Sequence, residues 1–343
     1  MVADARSAKD PWLEAAIDWD ATLAYRRHLW SWGMGLAEAM DTAQRGMGLD
    51  WPSSLELVRR TLDAAKGVPG AEVYSGAGTD HVARADVAGV VTAYEEQCAA
   101  IEKLGGRIIL MASRALAAAA KSPEDYGTVY DRILGQVKQP VIIHWLGEMF
   151  DPALEGYWGR KNHEQAMDVC LDVMRRNIAK VDGIKISLLD KAKEIAMRRR
   201  LPGGVRMYTG DDFNFAELIE GDAQGHSDAL LGIFDSIAPA ASQALSHLSA
   251  NENAKFNEVL APTVPLSRHI FGAPTRFYKT GVVCMAWLNG HQEHFIMVGG
   301  QQSARSIAHF AELFRLADAA GLLLDPPLAC ARMKQLLAVH GIL

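Results

Sequence analysis

One lysine in this sequence stands where core packing alone does not explain it. Val181-Asp182-Gly183-Ile184-Lys185-Ile186-Ser187 reads as a short buried strand with Lys185 among apolar neighbours. Burying an unpaired ammonium is costly, so such a lysine reaches the end of its strand, meets a carboxylate, or loses its proton. A neutral amine is a nucleophile, and the chemistry expected here is Schiff-base formation between Lys185 and a carbonyl substrate. A carbinolamine must then lose water, and making or breaking a carbon–carbon bond needs a proton shuttle. An imidazole titrates near neutrality and serves both needs. His144, in the preceding apolar run Pro140-Val141-Ile142-Ile143-His144-Trp145, is the candidate.

These two residues need a scaffold that brings strand ends together. Apolar strands are expected at 36–41, 72–78, 107–112, 140–145, 181–187, 205–209 and, weakly, 225–231, with helical stretches between them. Such alternation means a parallel sheet with helical crossovers, and evenly repeated units favour an α/β architecture of the (β/α)8 barrel type. No GxGxxG fingerprint follows the first strand. The count is one strand short. Either the chain lacks its first strand, or part of 11–18 fills the gap. After residue 232 the pattern is helical, so the expected division is a barrel over 1–235, with the last barrel helix and a C-terminal helical bundle over 236–343.

In such barrels the functional groups lie at the C-terminal strand ends. Those ends carry Asp41, Thr42 and Arg45; Thr79 and Asp80; Ser113; His144; Lys185 and Ser187; Asp211 and Asp212; and His226 and Asp228. Asp41, Asp80 or Asp211 could orient His144 or lower the lysine's pKa. Thr42, Thr79 and Ser113 could bind substrate hydroxyls, and Arg45 an anionic or carbonyl group. Ser187, Asp212 and Asp228 complete the expected substrate-binding set. Taken one at a time, His144 could be a satisfied core histidine, and Asp211 or Asp212 a helix cap.

Composition narrows the classes. The 343 residues are 49% hydrophobic and 22% charged, with a net charge of -6. A nucleic-acid partner is not expected, and Arg198-Arg199-Arg200 reads as a solvated helix end. No apolar run is long enough to span a membrane, and the first ten residues lack a signal-peptide core. Cys98, Cys170, Cys284 and Cys330 are far apart, as buried reduced thiols of a cytoplasmic protein would be. Trp12, Trp19, Trp30, Trp32 and Trp51 crowd the N-terminal region and suggest packing or a subunit contact. His291 and His294 would suit one helix face, and with His269 they form a weak metal signal.

With these residues placed, the chain resembles the dihydrodipicolinate synthase / N-acetylneuraminate lyase family of class I aldolases, and most closely a divergent branch of unknown function. Gly183-Ile184-Lys185 is similar to that family's Schiff-base strand, and Gly210-Asp211-Asp212 to the motif after the next strand. The run 140–145 stands where the family has its proline, apolar run and catalytic tyrosine. Met40-Asp41-Thr42-Ala43-Gln44-Arg45-Gly46 stands where it has a Gly-Thr-Thr-Gly-Glu loop. The resemblance implies a barrel with a helical tail, a lyase acting on a small carbonyl compound (keto acid or keto sugar derivative) without a cofactor, and a homodimer or homotetramer. His144 replaces the tyrosine, Ala43 and Arg45 alter the carboxylate-binding loop, and Gly147-Glu148-Met149 stands where family synthases carry an arginine. These departures put a pyruvate donor in question. Two other readings stay open. One is a metal-dependent barrel lyase, isomerase or epimerase using Asp41, Asp80, His144, Asp211 and His226. The other is a non-catalytic ligand-binding barrel.

Overall fold

A computed structural model of the chain describes residues 1–40 and 45–342. Helix α1 spans Trp19–Ser31 and opens on Asp18, whose carboxylate accepts the Ala21 amide at 2.9 Å. There follow β1 (Leu36–Glu38), α2 (Trp51–Ala65), β2 (Val73–Ala77), α3 (Val87–Lys103), β3 (Arg107–Leu110), α4 (Arg114–Ala119), α5 (Pro123–Gln136), β4 (Val141–Leu146), α6 (His163–Arg176), β5 (Val181–Ser187), α7 (Lys191–Arg198), β6 (Arg206–Thr209), α8 (Phe215–Glu220) and β7 (Asp228–Ala229). The remainder is helical: α9 (Ile233–Ser236), α10 (Ala238–Ser249), α11 (Asn253–Leu260), α12 (Val264–Ile270), α13 (Tyr278–Leu288), α14 (Ile307–Ala319) and α15 (Pro326–Val339). No helix among the described residues is long and apolar enough to cross a membrane.

The chain divides into two compact units. One comprises Gly35–Gly46 and Asp50–Leu230; the other comprises Met1–Met34, Met47–Leu49 and Leu231–Leu343. The first 34 residues, expected to belong with the barrel, therefore group with the C-terminal helices. The segment 11–18 supplies no sheet strand. Its one pairing is an isolated antiparallel bridge from Ile17 to Ala3, and no strand precedes β1 among the described residues.

The first unit is built on a seven-stranded parallel sheet in sequential order β1 to β7. Side chains Asp50, Asp86, Ser113, Asn162 and Asp190 cap helices that follow the first five strands, each accepting a first-turn amide, so five of the six crossovers start at a defined residue, while α8 has no side-chain cap. One face of the sheet is covered by these helices. The other closes around Met40, Tyr74, Ile109, Met111, Ile142 and Tyr208, with Leu230 packed against them. Contact among residues from so many strands requires the sheet to curve around a filled interior.

At the end where the strands begin, this interior is sealed by a polar lattice. The Tyr208 hydroxyl donates to Asp182 at 2.7 Å, Arg206 donates to both oxygens of Asp182 at 2.8 Å, and Arg206 lies 3.6 Å from Asp228. Asp228, expected at the catalytic mouth, sits here instead, with His226 at 3.6 Å. The reason is length: β7 is two residues long and pairs Asp228 with Tyr208, so Asp228 starts its strand rather than ending it. Three cysteines are buried thiols as expected, but Cys330 is exposed.

Candidate active site

Strand alternation decides where Lys185 points. Ile184 and Ile186 are completely buried or nearly so, on the opposite face of β5 from Gly183, Lys185 and Ser187. Register places Lys185 beside His144 on β4 and Tyr208 on β6. The lysine is buried at 9% exposure, and its Nζ lies 4.0 Å from Met40 Sδ.

Two glycines make room for the side chains on this face. A Cβ on Gly183 would lie 2.6 Å from both the Tyr208 ring and the Arg206 carbonyl oxygen. A Cβ on Gly210 would collide with Ser187 Oγ and lie 2.7 Å from Lys185 Cε and 2.8 Å from the Ile186 carbonyl oxygen. The last is backbone and cannot turn away. Gly210→Ala should therefore cost about 1–3 kcal/mol by overpacking. It should also displace the amine, and chemical denaturation with amine labelling at Lys185 would read both effects.

His144 is buried, and its Nε2 lies 3.1 Å from Ser187 Oγ. Its Nδ1 is buried with no hydrogen-bond partner. Burial, reinforced by the neighbouring Lys185, pushes the imidazole well below its ordinary pKa. The ring is thus neutral near pH 7, with one nitrogen tied to Ser187 and the other unengaged.

The remaining expected residues fall into distinct settings. Arg45 is buried and every guanidinium nitrogen is engaged. Nε donates to Asp80 at 3.2 Å and Nη2 to the same carboxylate, Nη1 to the carbonyl oxygens of Ala39 (3.2 Å) and Gly76 (2.6 Å), and Nη2 also to Gln97 Oε1 (2.6 Å). This corrects the expectation that Arg45 holds a substrate anion, because its five donors are met by protein acceptors. Asp80 is the other half of the same ion pair. Burial opposes its charge, but Arg45 holds it below the usual carboxylate range. Thr79 and Ser113 share a hydrogen bond of 2.6 Å, which leaves one of their two hydroxyl hydrogens for another acceptor. Ser113 also caps α4, and its amide donates to the Tyr157 hydroxyl at 3.0 Å. Asp211 closes its own turn, accepting from the Phe213 and Asn214 amides and the Asn214 side chain. Asp212 is buried beside it. Asp41 and Thr42 lie outside the described residues. With Asp80 paired, Asp211 closing a turn and His226 at the opposite strand ends, no group of three metal-ligating side chains assembles among the described residues.

Three contributors were not singled out in the sequence. Gln97 bridges Arg45, Asp80 and the Gly78 amide. Its signal was a glutamine within the buried stripe Val90, Tyr94, Cys98, Ile101 of α3. Tyr157 carried no local signal. Glu194 on α7 is fully buried and accepts hydrogen bonds from Thr209 (3.0 Å) and Ser227 (2.7 Å). Burial raises its pKa to about 8.

Comparison with known proteins bears on the fold. The family model described as "Protein of unknown function (DUF993)" matches residues 1–342. A search of curated proteins returned no match. Among solved structures, a prophage protein of the dihydrodipicolinic acid synthase family from E. coli, in complex with pyruvate, superposes with a TM-score of 0.71 at 14% identity, covering 90% of this chain and 94% of its own. Dihydrodipicolinate synthase from Aquifex aeolicus gives 0.70 at 12% identity, covering 94% and 98%. The chloride-inhibited synthase from Acinetobacter baumannii, complexed with pyruvate, gives 0.67 at 16% identity, covering 90% and 94%. At these identities the likeness is one of fold.

Proposed function

The chain belongs to the DUF993 family, whose description assigns no activity, and we propose from its own residues that it is a Schiff-base-forming class I lyase acting on a small carbonyl compound. One observation supports this most: a buried lysine on an inward strand face, in register with a neutral histidine that keeps one nitrogen unengaged. In this reading the Lys185 amine attacks the carbonyl carbon and forms the C–N bond. The carbonyl oxygen gains a proton, and the resulting carbinolamine loses water to give an iminium. The iminium then accepts the electron pair of the breaking carbon–carbon bond, giving an enamine. His144, linked to Ser187, takes the proton from the departing carbinol and returns one to the enamine carbon. Hydrolysis frees Lys185.

Thr79, Ser113 and Asp212 are the described residues we assign to substrate polar groups. Arg45 and Asp80 hold the strand ends in place. The substrate class is a keto acid or keto sugar derivative. Because Arg45 is engaged, a carboxylate on the substrate would need another partner. We also infer a cytoplasmic homo-oligomer; light scattering on eluting protein gives its mass directly.

The test is borohydride reduction in the presence of a panel of keto acids and keto sugars, followed by peptide mass analysis. A reduced adduct at Lys185 is expected, and absence of adduct across the panel would sink the proposal. His144→Asn should lower turnover by about 10²–10³-fold while leaving the adduct detectable, because the shuttle acts after and around imine formation. Since the His144 pKa is depressed, its protonation should cut activity only well below pH 6.5. A His144-dependent limb centred at or above 6.5 in the pH profile would contradict the assignment.

A further inference from the structure

The unit formed by Met1–Met34, Met47–Leu49 and Leu231–Leu343 contains a cavity of about 440 Å³ that the proposed chemistry does not use. That volume is in the range of small-molecule sites. Its aromatic wall comes from α1 and the turn after α13. The His28 and His291 rings lie 4.2 Å apart between centroids, with Tyr25 5.0 Å from His291 and Trp32 edge-on to His28 at 6.5 Å. Met285, Ala286 and Leu322 add apolar surface. His291 and His294, expected to share a helix face, do not: residues 291–297 are not helical.

The polar lining sorts into two groups. Asp235 is already engaged on both sides, by the Tyr25 hydroxyl at 2.5 Å and by Lys279 at 3.9 Å. The Asn289 amide is held by the backbone of Leu322 and Leu324. By contrast, the Ser236 hydroxyl is buried with no hydrogen-bond partner. The ring nitrogens of His28 and His291 and the amide of Gln243 make no hydrogen bond to the described residues. Burial lowers the pKa of both histidines, that of His291 to about 4. Every unengaged group is therefore neutral near pH 7, and each can both donate and accept. No unpaired charge faces the space to attract an anion or a cation.

We propose that this cavity is a second binding site, for a small uncharged heteroaromatic molecule whose ring edge carries both hydrogen-bond donors and acceptors. The ring stacks within the Tyr25, His28, His291 and Trp32 wall, and its edge meets the two imidazoles, the Ser236 hydroxyl and the Gln243 amide. The assignment does not depend on Lys185.

The experiment titrates full-length protein with adenine, uracil and nicotinamide as neutral probes, and with benzoate and benzylamine as charged ones, by saturation-transfer NMR and calorimetry. At least one neutral ring should bind saturably, more tightly than either charged probe. His291→Ala should weaken it at least tenfold. Gln243→Ala, at an exposed helical position that tolerates truncation, should weaken it at least threefold, while Lys185→Met changes it less than twofold. No binding by any neutral ring, tighter binding of benzoate or benzylamine, indifference to Gln243→Ala, or loss on Lys185→Met would each overturn the assignment.

Discussion

Lys185→Met should abolish the borohydride adduct and lower turnover by a factor on the order of 10⁴ or more, as expected when the nucleophile of a covalent mechanism is removed. The fold should survive. Methionine keeps the length of the side chain beside Met40 and Tyr208 and puts an apolar group of similar size at a buried position. The two readouts separate the roles. A dead but equally stable variant marks Lys185 as the reacting group. A variant that loses turnover together with its melting temperature would mark it as structural. Arginine is the sharper control, since it keeps a long basic side chain but cannot form the imine.

Glu194 gives the largest expected effect on stability. Its folded pKa of about 8 lies above the ordinary carboxyl value of 4.5, because burial penalises the charged form. The folded state therefore holds a proton that the unfolded chain has released. The stabilisation is complete below about pH 4.5 and is lost as pH rises through 8. Integrated from pH 5 to 8.5, the loss is on the order of 4 kcal/mol. Glu194→Gln removes the titration while keeping polar atoms within reach of Thr209 and Ser227. Urea unfolding should find the two proteins of similar stability at pH 5 and the variant more stable at pH 8.5. Parallel curves for the two proteins across that interval would refute the assignment. Thr209 also accepts the Asp211 amide at 3.1 Å, so Glu194 is linked by hydrogen bonds to the turn that carries Gly210.

Much of the sheet was legible because its strands are short apolar runs bounded by helix-capping side chains. All the expected strands exist, although 36–41 reduces to Leu36–Glu38 and 225–231 to Asp228–Ala229. What the sequence did not reveal was pairing at a distance. Arg45 looked like a ligand for an anion because its partners, Asp80 and Gln97, are 35 and 52 residues away. Asp228 looked like a mouth residue because periodicity does not say where a two-residue strand stops. The grouping of residues 1–34 with the C-terminal helices is a tertiary fact with no local signature. The neighbouring, buried placement of Lys185 and His144 was legible for the opposite reason. Ionisable groups in apolar runs violate the local rule, and such violations concentrate where function lies.

The space around the lysine is fixed by two absent side chains, at Gly183 and Gly210, and the atoms crowding them include carbonyl oxygens of the neighbouring strands. A neighbouring rotamer change can accommodate a larger residue when the obstacle is another side chain, but not when it is the sheet itself. In any chain proposed to share this chemistry, the two glycines thus act as a stricter signature than the polar residues at the mouth. Polar mouth residues can be exchanged to suit a different substrate, whereas a methyl group at either glycine closes the slot for all of them.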